Sequence, residues 1–129
     1  RRSSDLSQLL EEGPVLISFW AIWCINCKKE MPQLSLLQEK YEDITVICIS
    51  IDKPSDKAKA IKEVKNRFSF LTLLDPEQVA YKAMNAVNPP STYLLNTEGE
   101  IVWSHEGYHK GDETVIEEQI VNLLGEREE

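Results

Sequence analysis

The sequence predicts an α/β fold in which α-helices flank a central mixed β-sheet. Two short runs, residues 15–20 and 44–51, are apolar at consecutive positions, which is typical of strands buried on both faces of a sheet. A segment with helical spacing of apolar residues follows each run. Two further strands near the C-terminus are joined by a short turn, so a hairpin adds antiparallel pairing to the parallel βα units.

The first half of the chain contains two strand–helix units. Gly13-Pro14 precedes the strand at 15–20. The helix predicted over about 26–40 has four apolar residues on one face: Met31, Leu34, Leu37 and Tyr41. After the strand at 44–51, Ser55 or Asp56 can cap a second helix over about 56–67.

The second half adds one strand–helix unit, a hairpin and a closing helix. Strands are predicted at 70–74, 92–96 and 100–104. Asp75-Pro76 indicates the N-cap and first residue of a short helix that ends near Met84. Thr97-Glu98-Gly99 is a hairpin turn signal. Asp112 is expected to cap the last helix, which is predicted to stop near Gly125.

Length and charge favour one acidic domain. At 129 residues without internal repeats, we expect an N-terminal segment 1–13, a core 14–124 and a polar tail 125–129. The formal net charge of −8 argues against nucleic acid as a partner, because phosphate binding needs a clustered basic surface. No apolar run approaches the ~18 residues of a membrane span. We therefore expect a soluble monomer, with any membrane anchor outside this chain.

Cys24 and Cys27 form a CxxC motif at the predicted junction between the first strand and the following helix. This position places the first sulfur at a helix N-terminus, where free amide N–H groups and the helix dipole stabilise a thiolate. A thiolate attacks disulfides, and a second thiol nearby can resolve the mixed disulfide that forms. The motif therefore predicts a redox site.

A structural zinc site and a disulfide without a catalytic role are two other interpretations of the motif. Tetrahedral zinc needs two more ligands. Of the remaining candidates, Cys48 lies in an apolar strand, where an inert thiol is expected, and His105 and His109 lie in a polar segment. A cross-link that closes so short a loop adds little stability. Redox chemistry is therefore favoured, and no metal site is predicted.

Residues 19–32, FWAIWCINCKKEMP, resemble the active-site segment of thioredoxin-like proteins. Together with the Pro-Ser-Thr-Tyr strand start at 90–93, they are similar to the extracytoplasmic thiol–disulfide oxidoreductases of the TlpA and ResA type. That group acts in cytochrome maturation and envelope redox upkeep. The resemblance covers about 3–124 and implies a thioredoxin fold with an extra strand and helix at about 70–84. It also implies a location in the bacterial periplasm or cell envelope.

The resemblance further implies a role for individual residues. Cys24 would be the attacking thiol and Cys27 the buried resolving thiol. Glu30 matches an acidic residue that this group keeps behind the disulfide, and Ser18 stands where thioredoxins proper have a buried Asp. Pro90 would be a cis-proline that faces the CxxC motif. The residues expected to bind substrate are Trp23, Ile25, Asn26, Pro89 and Pro90.

Three points in this assignment stay open. Glu30 has a simpler interpretation, because an acidic residue in the first turn complements the helix dipole by ~0.3–1 kcal/mol. The Ile25-Asn26 pair lacks the proline that relatives commonly carry before the second cysteine, so the redox potential is not defined by the sequence. Pro89 has no N–H, so only its carbonyl group can pair with an extended substrate.

The predicted function is the reduction of protein disulfides by a Cys24/Cys27 dithiol. No metal or organic cofactor is expected beyond the redox-active disulfide, and an upstream thiol reductant must restore the dithiol. A peroxiredoxin-type peroxidase is an alternative, but it would place a single cysteine after a Thr-rich loop with an Arg partner, and neither lies near Cys24 in the sequence. A module that holds copper or zinc for delivery is another, and it would need a third soft ligand.

Overall fold

A computed structural model describes residues 6–128 of the chain. Within them the elements are, in order, α1 (Leu6–Glu12), β1 (Val15–Trp20), α2 (Ile25–Lys40), β2 (Thr45–Ser50), α3 (Lys57–Val64), β3 (Leu71–Leu74), α4 (Val79–Ala83), β4 (Ser91–Leu95), β5 (Ile101–Glu106) and α5 (Asp112–Glu128). A 3₁₀ turn at Pro54–Asp56 precedes α3. No helix in this range is long and apolar enough to cross a membrane.

The strands form a single sheet in the order β3-β2-β1-β4-β5. β1, β2 and β3 are parallel, whereas β4 is antiparallel to both β1 and β5. Every residue of β1 and β2 is buried, as the continuous apolar runs predict for strands covered on both faces. The predicted mixed sheet is confirmed, and β1 at its centre leads directly into the CxxC motif.

Different helices cover the two faces of β1. Ser18 is hydrogen-bonded to Glu30 of α2, whereas the neighbouring Phe19 packs edge-on against Tyr81 of α4 with ring centroids 5.2 Å apart. Because successive strand residues point to opposite faces, α2 and α4 lie on opposite sides of the sheet. α5 packs against α2 and therefore covers the same face as α2.

The predicted N-terminal segment contains the helix α1. Its Leu9 is fully buried in the hydrophobic core, whereas Leu6 is exposed. The first five residues of the predicted N-terminal segment lie outside the described residues.

β3 and α4 form the extra strand and helix predicted at about 70–84, but the predicted helix start at Pro76 is wrong. A turn with Gln78 at a left-handed φ of 58° intervenes, and α4 begins at Val79. Asp75 still serves this helix, because its carboxylate accepts 2.9 Å hydrogen bonds from the backbone N–H groups of Val79 and Tyr81. Asp75 therefore caps α4 as predicted, but it stands three residues before Gln78, the residue at the standard N-cap position.

Two predicted helix ends are also wrong. α3 ends at Val64 instead of residue 67, because Lys65 leaves the helical conformation at ψ 120°. Asn66 then adopts a left-handed φ of 59°, which Asn tolerates better than most residues. α5 continues through Gly125 to Glu128, so residues 125–128 of the predicted tail are helical. A helical glycine costs only about 1 kcal/mol relative to Ala, which flanking helix formers can offset.

Candidate active site

The CxxC motif begins α2. Cys24 is the N-cap, with an extended backbone at φ −96° and ψ 104°, and its sulfur accepts a 3.1 Å hydrogen bond from the backbone N–H of Cys27. The two sulfurs form a disulfide, and the Cα atoms are 5.3 Å apart. Because the N–H group facing Cys24 is one of the free donors of the helix N-terminus, it would stabilise a Cys24 thiolate after reduction.

The two cysteines differ in their access to solvent. Cys24 retains 7% exposure, whereas Cys27 is fully buried. An incoming sulfur can therefore approach Cys24 but not Cys27. This difference supports the order of attack predicted from the sequence.

The residues around Cys24 form an open, mostly apolar surface. Trp23 is 66% exposed and Ile25 is 71% exposed, and Asn26 is also exposed. Large apolar side chains exposed side by side often mark an interaction surface. The structure thus brings three of the predicted substrate-binding residues together on the outer side of the disulfide.

The predicted cis-proline lies next to the disulfide. The Pro89–Pro90 peptide bond is cis, and the carbonyl oxygen of Pro89 is 3.6 Å from the sulfur of Cys24. Pro90 itself is buried, and its carbonyl accepts a 2.7 Å hydrogen bond from the backbone N–H of Gly107 after β5. The group that faces the sulfur is therefore the Pro89 carbonyl, which is also the only backbone hydrogen-bonding group of that residue.

Glu30 lies on the inner side of the motif, one helical turn after Cys27. Its side chain is 1% exposed, and its carboxylate accepts hydrogen bonds of 2.7 Å from the Ser18 hydroxyl and 3.2 Å from the Thr92 hydroxyl. Burial raises the pKa of Glu30 from 4.5 to about 7, although both hydrogen bonds act to lower it. The carboxyl group can therefore gain or lose a proton near neutral pH. The helix-dipole interpretation is wrong, because the first turn of α2 contains no acidic residue and Glu30 lies in the second turn.

The partners of Glu30 are set by the register of the sheet. Ser18 of β1 lies opposite Cys48 of β2 on one side and Thr92 of β4 on the other. Opposite residues project from the same face, so the three side chains form a row beneath α2. Cys48 is fully buried, and its pKa is raised well above the ordinary value by burial and then by the charge of Glu30. Cys48 therefore stays a protonated thiol, as expected for an inert cysteine.

Asp52 supports the turn before the motif, and sequence reasoning did not identify it. Both carboxylate oxygens lie 3.1 Å from the backbone nitrogen of Ile22, and one accepts a 2.7 Å hydrogen bond from the Ser50 hydroxyl. The carboxylate is buried, so it fixes the segment between β1 and Cys24. The available sequence signal was an acidic residue at the carboxyl end of a buried strand, which in parallel sheets lies at the edge where sites form.

The described residues contain no group of three or more His, Cys, Asp or Glu side chains that could hold a metal ion. The three additional zinc candidates considered above are separated in the fold. Cys48 lies under α2, whereas His105 and His109 both approach Asp112 at the start of α5.

A mixed five-stranded sheet with a CxxC disulfide at the end of its central strand defines the thioredoxin-like class. A candidate thiol:disulfide interchange protein DsbE from Chlorobium tepidum has the same fold, with a TM-score of 0.81 and 26% identity over 92% of this chain and 84% of that chain. Residues 2–104 match the AhpC/TSA family, and the chain belongs to this family.

Two curated relatives carry names that refer to disulfide chemistry. The chain is 30% identical over 117 residues to the thiol:disulfide interchange protein DsbE of Pseudomonas aeruginosa. The aligned residues cover 88% of this chain and 61% of the relative. The chain is 28% identical over 99 residues to the thiol-disulfide oxidoreductase ResA of Bacillus subtilis, with 76% of this chain and 55% of ResA covered. The chain thus spans little more than half the length of these relatives.

Proposed function

We propose that this chain is a thiol–disulfide oxidoreductase that reduces protein disulfides through Cys24 and Cys27. The Cys24 thiolate attacks one sulfur of a substrate disulfide, which forms a mixed disulfide and releases the other substrate sulfur as a thiolate. Cys27 then attacks Cys24, closing the Cys24–Cys27 disulfide and releasing the second substrate thiolate. The observation that carries the proposal is a helix-capping disulfide of which only the first cysteine keeps any exposure to solvent.

Glu30 acts as the proton carrier for Cys27 in this proposal. Cys27 must lose its proton before it attacks Cys24, and it is fully buried away from water. Glu30 lies one turn along the same helix, and a pKa of about 7 suits a group that accepts and returns a proton near neutral pH. The hydroxyl groups of Ser18 and Thr92 hold the carboxylate in place.

The substrate binds across the outer side of the disulfide. The exposed side chains of Trp23, Ile25 and Asn26 offer contact area, and the Pro89 carbonyl beside Cys24 accepts a hydrogen bond from an extended substrate segment. Pro90, which is buried next to Pro89, supports the segment that carries this carbonyl group. Because Pro89 cannot donate, the substrate gains one backbone hydrogen bond here and not two.

A trapping experiment tests the two-thiol mechanism. The Cys27→Ser variant keeps the first attack but cannot resolve the mixed disulfide, so it should accumulate a covalent complex with a reducible protein substrate. Turnover should fall by at least ~100-fold, since resolution then depends on external thiols. Cys24→Ser is the control and should form no complex. Release of substrate by Cys27→Ser at the parent rate would refute the mechanism.

The direction of exchange is tested by the reduction potential in glutathione buffers. A domain that works as a reductant in the periplasm or cell envelope, and is itself re-reduced by an upstream thiol donor, should have a potential below about −200 mV. A value near −120 mV, about that of a strong oxidant, would reverse the proposed direction.

A further inference from the structure

The row of polar side chains next to Glu30 continues to the edge of the sheet. Thr92 of β4, whose hydroxyl group donates a hydrogen bond to Glu30, lies directly opposite His105 of β5. Opposite residues project from the same face with Cβ atoms ~4.5–5.5 Å apart, so His105 follows Ser18 and Thr92 on the face covered by α2 and α5. Ser18 and Thr92 are fully buried, whereas the His105 side chain is 40% exposed. His105 is thus where this row meets solvent.

The imidazole ring of His105 is held in a fixed position. It stacks on Trp103 with ring centroids 5.9 Å apart and planes 9° apart, and its Nε2 atom lies 3.3 Å from a carboxylate oxygen of Asp112. Asp112 begins α5 and also accepts a 2.8 Å hydrogen bond from the backbone N–H of His109. These two contacts hold the ring on the face of β5 that carries the row.

The other titratable groups around Glu30 are poor proton acceptors near neutral pH. The thiol of Cys48 on β2 has a strongly raised pKa because it is buried, and so does the phenol of Tyr108, which is buried and donates its proton in a hydrogen bond to Glu113. Asp112 on α5 has a lowered pKa, first because of the His109 backbone N–H, so it stays ionised and is a weak base. Histidine is the side chain that commonly exchanges protons near neutral pH.

We propose that His105 is the residue through which the buried Glu30 carboxyl group exchanges its proton with solvent, with the Thr92 hydroxyl between them. This inference rests on the proposed role of Glu30 in disulfide exchange. His105 touches neither sulfur and acts only through Glu30.

The proton transfer balances without any redox partner of its own. Glu30 takes the proton of the Cys27 thiol, so an S–H bond breaks and an O–H bond forms. The carboxyl group then passes a proton to the Thr92 oxygen, and the hydroxyl proton of Thr92 moves on, directly or through one water, to the imidazole of the neighbouring residue on β5. The imidazole releases one proton to solvent. The electron pair moves only among the sulfur atoms.

Buffer dependence of the reaction rate tests this proposal on the whole chain. The rate at which the reduced protein reduces a protein disulfide is measured between about pH 6 and 8, at low and high imidazole concentration. His105→Gln should slow the reaction at least fivefold at low buffer, a small part of the ~10²–10⁴-fold that positioned acid–base groups contribute. High imidazole should restore the rate, because a small base replaces the lost ring.

His109→Gln is the matched control, since His109 approaches the same Asp112 carboxylate at 3.8 Å but is 88% exposed and outside the row. It should change neither the rate nor its buffer dependence. Thr92→Val should reproduce the buffer-dependent slowing, and Thr92→Ser should restore the parent behaviour. A His105→Gln rate equal to that of His109→Gln would overturn the proposal, and so would a slowing that imidazole does not relieve.

Failure of the relay can be distinguished from failure of the two-thiol mechanism. If Cys27→Ser traps substrate while His105→Gln behaves as the parent, the relay fails and the proposed function stands. If Cys27→Ser traps nothing, the proposed function fails, and with it the relay that depends on it.

Discussion

The two sides of the disulfide are built from the same short stretch of chain, yet their environments are opposite. On the inner side, Glu30 is fully buried and bonded to two hydroxyl groups of the sheet. On the outer side, Trp23 and Ile25 are largely exposed. Helical periodicity explains the difference, because Cys27 and Glu30 are one turn apart and face the sheet, whereas Ile25 points away from it.

In the proposed mechanism, this contrast separates control of the chemistry from recognition of the substrate. If Glu30 carries the proton as proposed, a change on the inner side should affect every disulfide substrate equally. A change on the outer side removes contact area and should affect only substrates large enough to use it. Variants on each side therefore have distinct signatures in pH dependence, substrate dependence and stability.

The largest effect is expected for Glu30→Gln on the inner side. A pKa raised from 4.5 to about 7 means that folding favours the neutral carboxyl group, so its stabilisation is fully present below about pH 4.5 and is lost as pH rises through about 7. The parent should lose about 3 kcal/mol of unfolding free energy across this range. Because glutamine is neutral throughout, the variant should be more stable than the parent by up to about that amount at pH 8.5 and similar to it at about pH 4.5.

Urea unfolding of the disulfide form at the two pH values measures this difference. Glu42→Gln, which removes an exposed carboxyl group, is the control and should show the pH dependence of the parent. If Glu30→Gln loses stability equally at both pH values, the buried carboxyl group does not carry the predicted ionisation penalty. The same variant should flatten the pH–rate profile of disulfide reduction.

A change at Asp52 should affect both sides, because this residue fixes the turn that joins them. Asp52→Ala leaves the backbone N–H of Ile22 and the hydroxyl of Ser50 without their buried acceptor. The expected loss is about 1–3 kcal/mol of unfolding free energy. Alkylation of reduced Cys24 should also become faster as the turn loosens, and mass spectrometry of the labelled peptide measures this. Destabilisation with an unchanged alkylation rate would limit Asp52 to a role in folding.

On the outer side, Trp23→Ala should lower kcat/KM for a protein disulfide about three- to tenfold, which corresponds to about 1 kcal/mol of lost contact. Reduction of a small disulfide reagent and the unfolding free energy should change little, because the side chain is exposed. Val121→Ala is the control, since Val121 is also exposed but lies beside Tyr41 near the opposite end of α2. An equal loss for both substrates would place Trp23 with the chemistry of the site.

The two sides of the disulfide also differ in how much of each could be predicted from the sequence alone. The CxxC motif, the buried strand before it and the helix after it are local patterns, so Cys24, Cys27 and the central sheet followed from spacing and hydrophobicity. Ile25 and Glu30 were singled out by the family resemblance, and the helix that starts at Ile25 then places them on its outer and inner sides. The mixed sheet, the hairpin and the cis bond at Pro90 agree with expectation.

Contacts between distant segments were harder to predict, because they depend on strand register and loop geometry. Thr92 meets Glu30 only because β4 pairs with β1 in one particular register, and a shift by one residue would turn its hydroxyl to the other face. Asp52 reaches Ile22 from a loop after β2. Local signals also failed where tertiary context overrides propensity, as at Gly125 within α5 and at the turn before α4.

The smallest effect is expected for Asp112→Asn, which tests how far charge outside the site reaches its inner side. Burial is the main cause of the raised pKa of Glu30, and the negative charge of Asp112 is the weakest contribution in the same direction. Asparagine keeps an acceptor for the backbone N–H of His109, so α5 should start normally. Removing the charge should lower the pKa of Glu30 slightly and move the midpoint of the pH–rate profile to lower pH.

Glu118→Gln removes an equal charge from an exposed position further along α5 and should leave the midpoint unchanged. A shift to higher pH, or the same shift for both variants, would show that the inner side does not sense Asp112 specifically.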